Sequence, residues 1–160
     1  MEFAKNLTLS HCAKTRFFAP QLMLIVSLFI MPPVSAQSEV FRARISPMPT
    51  TPQTVNEILG EGEVILTLAG NTLTIAGSFE GMSSAATAAH VHKGPPARPG
   101  PVIHTLNTTA AAAGEITAQL QLSDDEIAEL KANNFYIQIH SINNPLGELR
   151  GWVFLRSHFQ

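Results

Sequence analysis

The sequence predicts an all-β fold, an antiparallel β-sandwich of Greek-key type that carries one short helix. Three observations predict it. Short runs of alternating apolar and polar residues recur along the chain with turn residues between them, which is the pattern of half-buried strands in a sandwich. A two-residue link, Gly70-Asn71, joins two of these runs, as in a tight hairpin. The segment 123–126 instead has the start signal of a helix.

Eight runs have the composition and alternation of strands. They lie at 40–45, 63–69, 72–79, 87–92, 102–106, 115–122, 135–142 and 148–155. Glycine in the first position of the Gly70-Asn71 link predicts a type II′ turn. The proline-rich stretches 47–52 and 93–101 are predicted loops, because proline cannot donate to a strand ladder.

The helix is predicted from a capping box. The Ser123 hydroxyl can accept the amide of Glu126 while the Glu126 carboxylate bonds back, and the helix is expected to end at Asn133-Asn134. The acidic trio 124–126 also has the composition of a metal site. Acidic residues are favoured at the positive end of any helix, so the capping interpretation is preferred.

Residues 1–36 are predicted to be a cleaved signal peptide. Basic residues precede an apolar stretch at 17–31, and Val34 and Ala36 provide small residues for cleavage after Ala36. At about 1.5 Å per residue that stretch spans roughly 22 Å, short of the roughly 30 Å of a bilayer core. We therefore expect a mature chain of residues 37–160, periplasmic or secreted, without stable membrane insertion.

The mature composition excludes several classes of function. The only cysteine, Cys12, lies in the segment predicted to be removed, so neither a disulfide nor a thiolate ligand is expected. Seven Lys and Arg against eleven Asp and Glu give a net charge of −4, which predicts no nucleic-acid partner. No Gly-x-Ser-x-Gly motif is present, and the chain is expected not to be an enzyme.

Three histidines are the candidate metal ligands. In Ala89-His90-Val91-His92 both imidazoles leave the same side of a strand, and His140 follows Tyr136 and Gln138 on the polar face of another. Three neutral imidazoles suit copper or zinc, provided that their nitrogens lie within about 4–5 Å of one another, since metal–nitrogen bonds are near 2.0–2.1 Å. The alternative is that these histidines make structural hydrogen bonds. His104 is a weaker candidate.

The last two predicted strands contribute a charged pair to the same region. If Ile142 pairs with Glu148, His140 lies opposite Arg150, and one polar face collects His140, Glu148, Arg150 and Trp152. Glu148 or Arg150 then orients an imidazole or a bound water. The alternative for this pair is a salt bridge or a backbone clamp at the hairpin.

These motifs resemble the CHRD domain, first described in chordin, over residues 38–155. The resemblance rests on Ala89-His90-Val91-His92 with the following Gly/Pro loop, on Tyr136-x-x-x-His140, and on Pro145-x-Gly147-Glu148-x-Arg150-Gly151. Gln138, Ser141 and Trp152 depart from the residues usual in that family. The resemblance implies an all-β extracellular or periplasmic module with no enzymatic chemistry to transfer to these positions, and Tyr136 belongs to its pattern. A more remote resemblance, to copper–zinc superoxide dismutase, does not extend to activity.

Two functions follow as expectations. The first is an exported non-enzymatic module with a binding or structural role toward an unknown protein or cell-envelope partner. The alternative is a periplasmic or extracellular protein that binds copper, or zinc, through His90, His92 and His140.

Overall fold

The computed structural model describes residues 37–159, and the predicted signal peptide lies outside this range. The described residues form β1 (Glu39–Pro47), β2 (Glu61–Ala69), β3 (Thr72–Glu80), β4 (Ala86–Lys93), β5 (Val102–Thr108), β6 (Gly114–Gln121), α1 (Asp124–Lys131), β7 (Phe135–Ser141), β8 (Leu149–Trp152), β9 (Phe154–Leu155) and a final 3₁₀ turn (Arg156–Phe159). The all-β prediction with one short helix is confirmed. Among these residues, no helix is both long enough and apolar enough to cross a membrane.

The strands close into a barrel instead of forming a sandwich. The sheet order is β2-β3-β6-β5-β4-β7-β8-β1, with β9 also on β1, and β1 returns to pair with β2. β1 pairs with β2 over Glu39–Ile45 and with β8 through Ser46 and Pro47, so this one strand closes the sheet. The sandwich prediction is therefore corrected to an eight-stranded antiparallel barrel. Both architectures bury alternate residues of each strand, so alternation alone does not separate them.

Alternate residues of each strand fill the barrel. In β1 the interior side chains are Phe41, Ala43 and Ile45, each at most 1% exposed, while Arg42 and Arg44 point outward. Fully burying an aromatic or branched aliphatic side chain contributes about 1.5–3 kcal/mol to folding. Burial of this apolar interior therefore contributes strongly to the stability of the barrel.

The two local turn and cap predictions are confirmed. Ala69 pairs with Thr72 across Gly70-Asn71. Gly70 has a φ of 61°, while Asn71 is not among the non-glycine residues with positive φ, which is the type II′ combination. At the helix, the Ser123 hydroxyl accepts from the Glu126 amide and the Glu126 carboxylate accepts from the Ser123 amide at 2.9 Å. The hydrogen bond from the Ser123 backbone lowers the pKa of Glu126, so this carboxylate is used in the cap.

Candidate metal centre

The three candidate histidines lie on the outer face of two adjacent strands. The antiparallel register of β4 and β7 sets His90 opposite Gln138 and His92 opposite Tyr136, with His140 opposite Ala88. The alternate residues of the same strands, including Val91 and Ile139, are completely buried in the barrel. Side-chain alternation therefore carries all three imidazoles to one side of the sheet.

The imidazoles converge. One ring nitrogen of each histidine lies within 4.8 Å of the others, and the ring centroids of His90 and His140 are 5.0 Å apart. The centroid of His92 is 6.0 Å from that of His90. The separation that the sequence analysis required for a shared ion is met, because His140 is a diagonal neighbour of His90 across the strand pair.

Backbone carbonyls fix the tautomers of two of the rings. His92 Nδ1 lies 3.0 Å from the Gly100 carbonyl oxygen, and His140 Nδ1 lies 2.9 Å from that of Pro145. A carbonyl only accepts, so each Nδ1 carries the proton and donates. In the neutral rings each Nε2 then keeps its lone pair, which is the arrangement that metal-binding histidines use.

Two nitrogens of the cluster are buried without a partner. Among the described residues, neither His92 Nε2 nor His90 Nδ1 has a hydrogen bond, although both atoms are shielded from solvent. Leaving a buried polar atom unpaired costs about 1–3 kcal/mol, so such groups are rare in folded proteins. A shared cation would give both nitrogens a partner, provided that the proton of neutral His90 lies on Nε2.

The protonation state of the rings also suits a metal. Burial lowers the pKa of His90, and the charges of His140 and His92 lower it further. Burial lowers the pKa of His92 too, with smaller contributions from His140 and Arg150, against the opposing effect of the Gly100 hydrogen bond. Both shifts favour the neutral form of the ring, which is the form that binds a metal.

Gln138 connects Arg150 to the cluster, a role that the sequence analysis missed. Arg150 Nε and Nη2 donate to Gln138 Oε1 at 2.9 and 2.7 Å, which fixes the orientation of the amide. Gln138 Nε2 then donates to the Leu146 carbonyl at 2.9 Å and, weakly at 3.4 Å, to His140 Nε2. The reciprocal positions of Gln138 and Arg150 could be read only from the correct strand register.

The predicted register of the terminal hairpin is off by two residues. Gln138, and not His140, lies opposite Arg150, and Tyr136 lies opposite Trp152. A shift of two preserves the faces of the strands, so Arg150 and Trp152 remain on the histidine side. Arg150 is also 5.2 Å from the Tyr136 ring centroid, a cation–π distance.

Tyr136 and Trp152 hold the 94–101 loop against His92. The Tyr136 hydroxyl donates to the Gly100 carbonyl and accepts from the Gly100 amide, both at 3.0 Å, and its ring stacks on His92 with centroids 4.6 Å apart. Trp152 Nε1 donates to the Gly94 carbonyl at 3.1 Å. A Cβ at Gly100 would overlap the Lys93 carbonyl oxygen, so only glycine allows this close approach. The loop covers His92, which is 8% exposed.

Glu148 does not join the polar face that the sequence analysis proposed. It precedes β8 and is completely buried, and its carboxylate accepts from the Ser83 amide at 2.6 Å, the Leu59 amide at 3.3 Å and the Ser141 hydroxyl. Burial alone would raise its pKa, but the hydrogen bonds from Ser141 and Ser83 lower the pKa overall. These contacts match the backbone-clamp alternative, here between the terminal hairpin and two distant loops.

His104 is separate from the cluster. Its Nε2 lies 2.8 Å from Glu126 Oε1 at the helix start, and it is not among the three histidines whose ring nitrogens converge. His104 is therefore not part of the candidate centre.

The family is shown by comparison with family models. The CHRD domain model matches residues 35–153, which is close to the range of 38–155 expected from the motifs. No curated protein and no solved structure matches the chain significantly. Because the matched region covers most of the chain and contains all three histidines, this protein belongs to the CHRD domain family.

Proposed function

We propose that this CHRD domain binds one copper ion through His90, His92 and His140. The observation that carries the proposal is the pair of buried, unpartnered nitrogens, His90 Nδ1 and His92 Nε2, in a cluster whose ligand nitrogens lie within 4.8 Å. An ion held by the cluster would give both nitrogens a partner, with the proton of neutral His90 on Nε2. The two backbone carbonyls that select the tautomers support the same role.

Copper is preferred over zinc on donor chemistry. Imidazole nitrogen suits both ions, and Cu²⁺ binds a given set of nitrogen ligands more tightly than Zn²⁺. Three protein ligands leave at least one coordination position for water or an exogenous group.

The proposed role is binding and not catalysis, in an exported protein. Cleavage after Ala36 would place residues 37–160 in the periplasm or the medium, where a protein or cell-envelope partner could exchange the ion. Mass spectrometry of the exported protein should find Gln37 at the N-terminus. An intact chain that stays in washed membranes would contradict export.

Metal titration tests the proposal directly. Tag-free protein should bind Cu²⁺ at a stoichiometry near one, and an ion at a hundredfold excess over its Kd should add about 2.7 kcal/mol to the free energy of unfolding. Zinc should give a smaller rise in melting temperature at equal concentration. Calorimetric titration and thermal unfolding measure the two effects.

A matched pair of variants separates the site from general imidazole binding. His140→Gln removes one proposed ligand and should abolish the copper-induced rise. His104→Gln removes a histidine with one hydrogen bond of similar length but outside the cluster, and should leave the rise intact. Equal losses in both variants, or no binding by the parent protein, would contradict the proposal.

A structural role for the histidines is the second candidate. It is favoured by the hydrogen bonds of His92 to Gly100 and of His140 to Pro145, which hold the loops after β4 and β7. On this alternative, His140→Gln loosens the 142–148 loop in hydrogen exchange while neither copper nor zinc shifts the melting temperature of the parent. The titration therefore separates the two candidates.

A further inference from the structure

A cavity lies on the outer face of the barrel across β1 and β8, and Arg150 of β8 is part of its lining. Its volume is about 610 Å³, within the range of about 300–1,000 Å³ typical of small-molecule sites. β1 supplies Arg42 and Arg44, β8 supplies Arg150 and Trp152, and the Pro-Met-Pro segment at 47–49 lines another side. The cavity does not involve the three imidazoles.

The lining combines positive charge with apolar surface. Three of the lining side chains are arginines, and none of the lining residues, all from the described part of the chain, is acidic. Trp152, Phe154 and Met48 provide aromatic and apolar contact area. A ligand that matches this lining carries a negative group and an apolar body.

Two of the arginines can engage such a ligand. Arg44 is paired with Glu61 at 3.5 Å, with side chains 73% and 62% exposed, and an exposed pair of this kind is weak. Arg150 donates from Nε and Nη2 to the neutral amide oxygen of Gln138. Among the ion pairs of residues 37–159 none includes Arg150, so its charge is not neutralised by a carboxylate.

We propose that this cavity binds a small organic carboxylate with an apolar chain or ring. A single guanidinium can pair with a carboxylate through two parallel N–H donors. Arg44 can offer such a pair in exchange for its exposed contact with Glu61, and Arg150 on the neighbouring strand adds its charge and the N–H donors of Nη1, which Gln138 does not engage. The apolar body then lies against Trp152 and Met48. This proposal does not depend on metal binding, because none of the three histidines lines the cavity.

The single tryptophan of the chain makes the cavity directly observable. Because Trp152 is the only tryptophan and lines the cavity, a change in tryptophan fluorescence reports on the surroundings of this one side chain. The mature protein is titrated with octanoate, with octanamide, which has the same chain without the charge, and with acetate, which has the charge without the chain. Excess EDTA keeps copper and zinc out of the measurement.

Octanoate should change the fluorescence saturably. Octanamide should bind about tenfold more weakly, because a hydrogen bond to a charged group contributes at least about a factor of ten to binding. Acetate, which lacks the apolar chain, should give no saturable change. Arg44→Gln should weaken octanoate binding severalfold. Arg98→Gln, which removes the same charge from the 94–101 loop outside the cavity, should not. Equal binding of octanoate and octanamide, an unchanged Arg44→Gln variant, or no saturable signal with octanoate would each overturn the proposal.

Discussion

Replacing His90 by phenylalanine should stabilise the metal-free protein while removing its copper response. His90 Nδ1 is buried without a partner among the described residues, and an unpaired buried nitrogen costs about 1–3 kcal/mol. Phenylalanine keeps an aromatic ring next to His140, whose centroid is 5.0 Å away, and it favours a strand. His90 is only partly buried, so we expect the lower end of that range.

The expected gain is about 1 kcal/mol in the free energy of unfolding, or roughly 4 °C in melting temperature for a domain of this size. Urea unfolding and thermal unfolding in EDTA measure it, and adding Cu²⁺ to both proteins should then raise the melting temperature of the parent only. A variant that is more stable but no longer binds copper would show that the unpartnered nitrogen of His90 serves to bind the ion.

The same substitution at His104 provides the contrast. His104 Nε2 is paired with Glu126 at 2.8 Å, so His104→Phe should destabilise the protein slightly and preserve the copper response. If His90→Phe instead lowers stability by more than 1 kcal/mol, or keeps the copper-induced rise, the reasoning from the unpartnered nitrogen is wrong.

Three further predictions test the surroundings of the site. Glu148→Gln should lower the free energy of unfolding at pH 7 by about 2 kcal/mol, measured with urea, because a buried carboxylate loses its charged hydrogen bonds. The pKa of Glu148 is lowered on folding, so the stability difference between parent and variant should shrink as the pH falls below 4.5. A constant difference down to pH 2 would contradict this. Gly100→Ala should displace the loop and weaken copper binding about tenfold or more in a calorimetric titration, whereas Gly70→Ala, at a turn with open space, should affect stability alone. The pKa values of His90 and His92 are lowered on folding, so the unfolded chain binds more protons than the folded chain below pH 6.5. The free energy of unfolding of the metal-free protein should therefore fall from pH 7 to 5. His90→Phe should make this fall with pH less steep.

The sequence was sufficient for the features that depend on neighbouring residues. Alternation places His90 and His92 on one face without any knowledge of the rest of the chain, and the type II′ turn at Gly70-Asn71 and the cap at Ser123 are likewise local. The convergence of His140 with the pair was a prediction that required β4 and β7 to be adjacent, and the structure makes them so.

The features that the sequence did not provide depend on long-range pairing. Closure of the barrel rests on the last two residues of β1 reaching β8, and the alternating pattern is the same whether or not they do. The position of Glu148 was missed because β8 begins one residue later, at Leu149, which frees Glu148 from the alternation that its neighbours obey. The contact of Gln138 with Arg150 depends on a register that a two-residue error conceals.

The loop contacts of the histidines have a consequence for how such a site can change over time. His92 and His140 are oriented by the carbonyls of Gly100 and Pro145, and a carbonyl is present whatever side chain its residue carries. The loops must keep their path, which the glycine at position 100 makes possible, but most of their side chains are free to vary. Related chains can therefore keep the orientation of these imidazoles although their loop sequences differ at most positions. Shared backbone geometry is then a better guide to the site than shared loop residues.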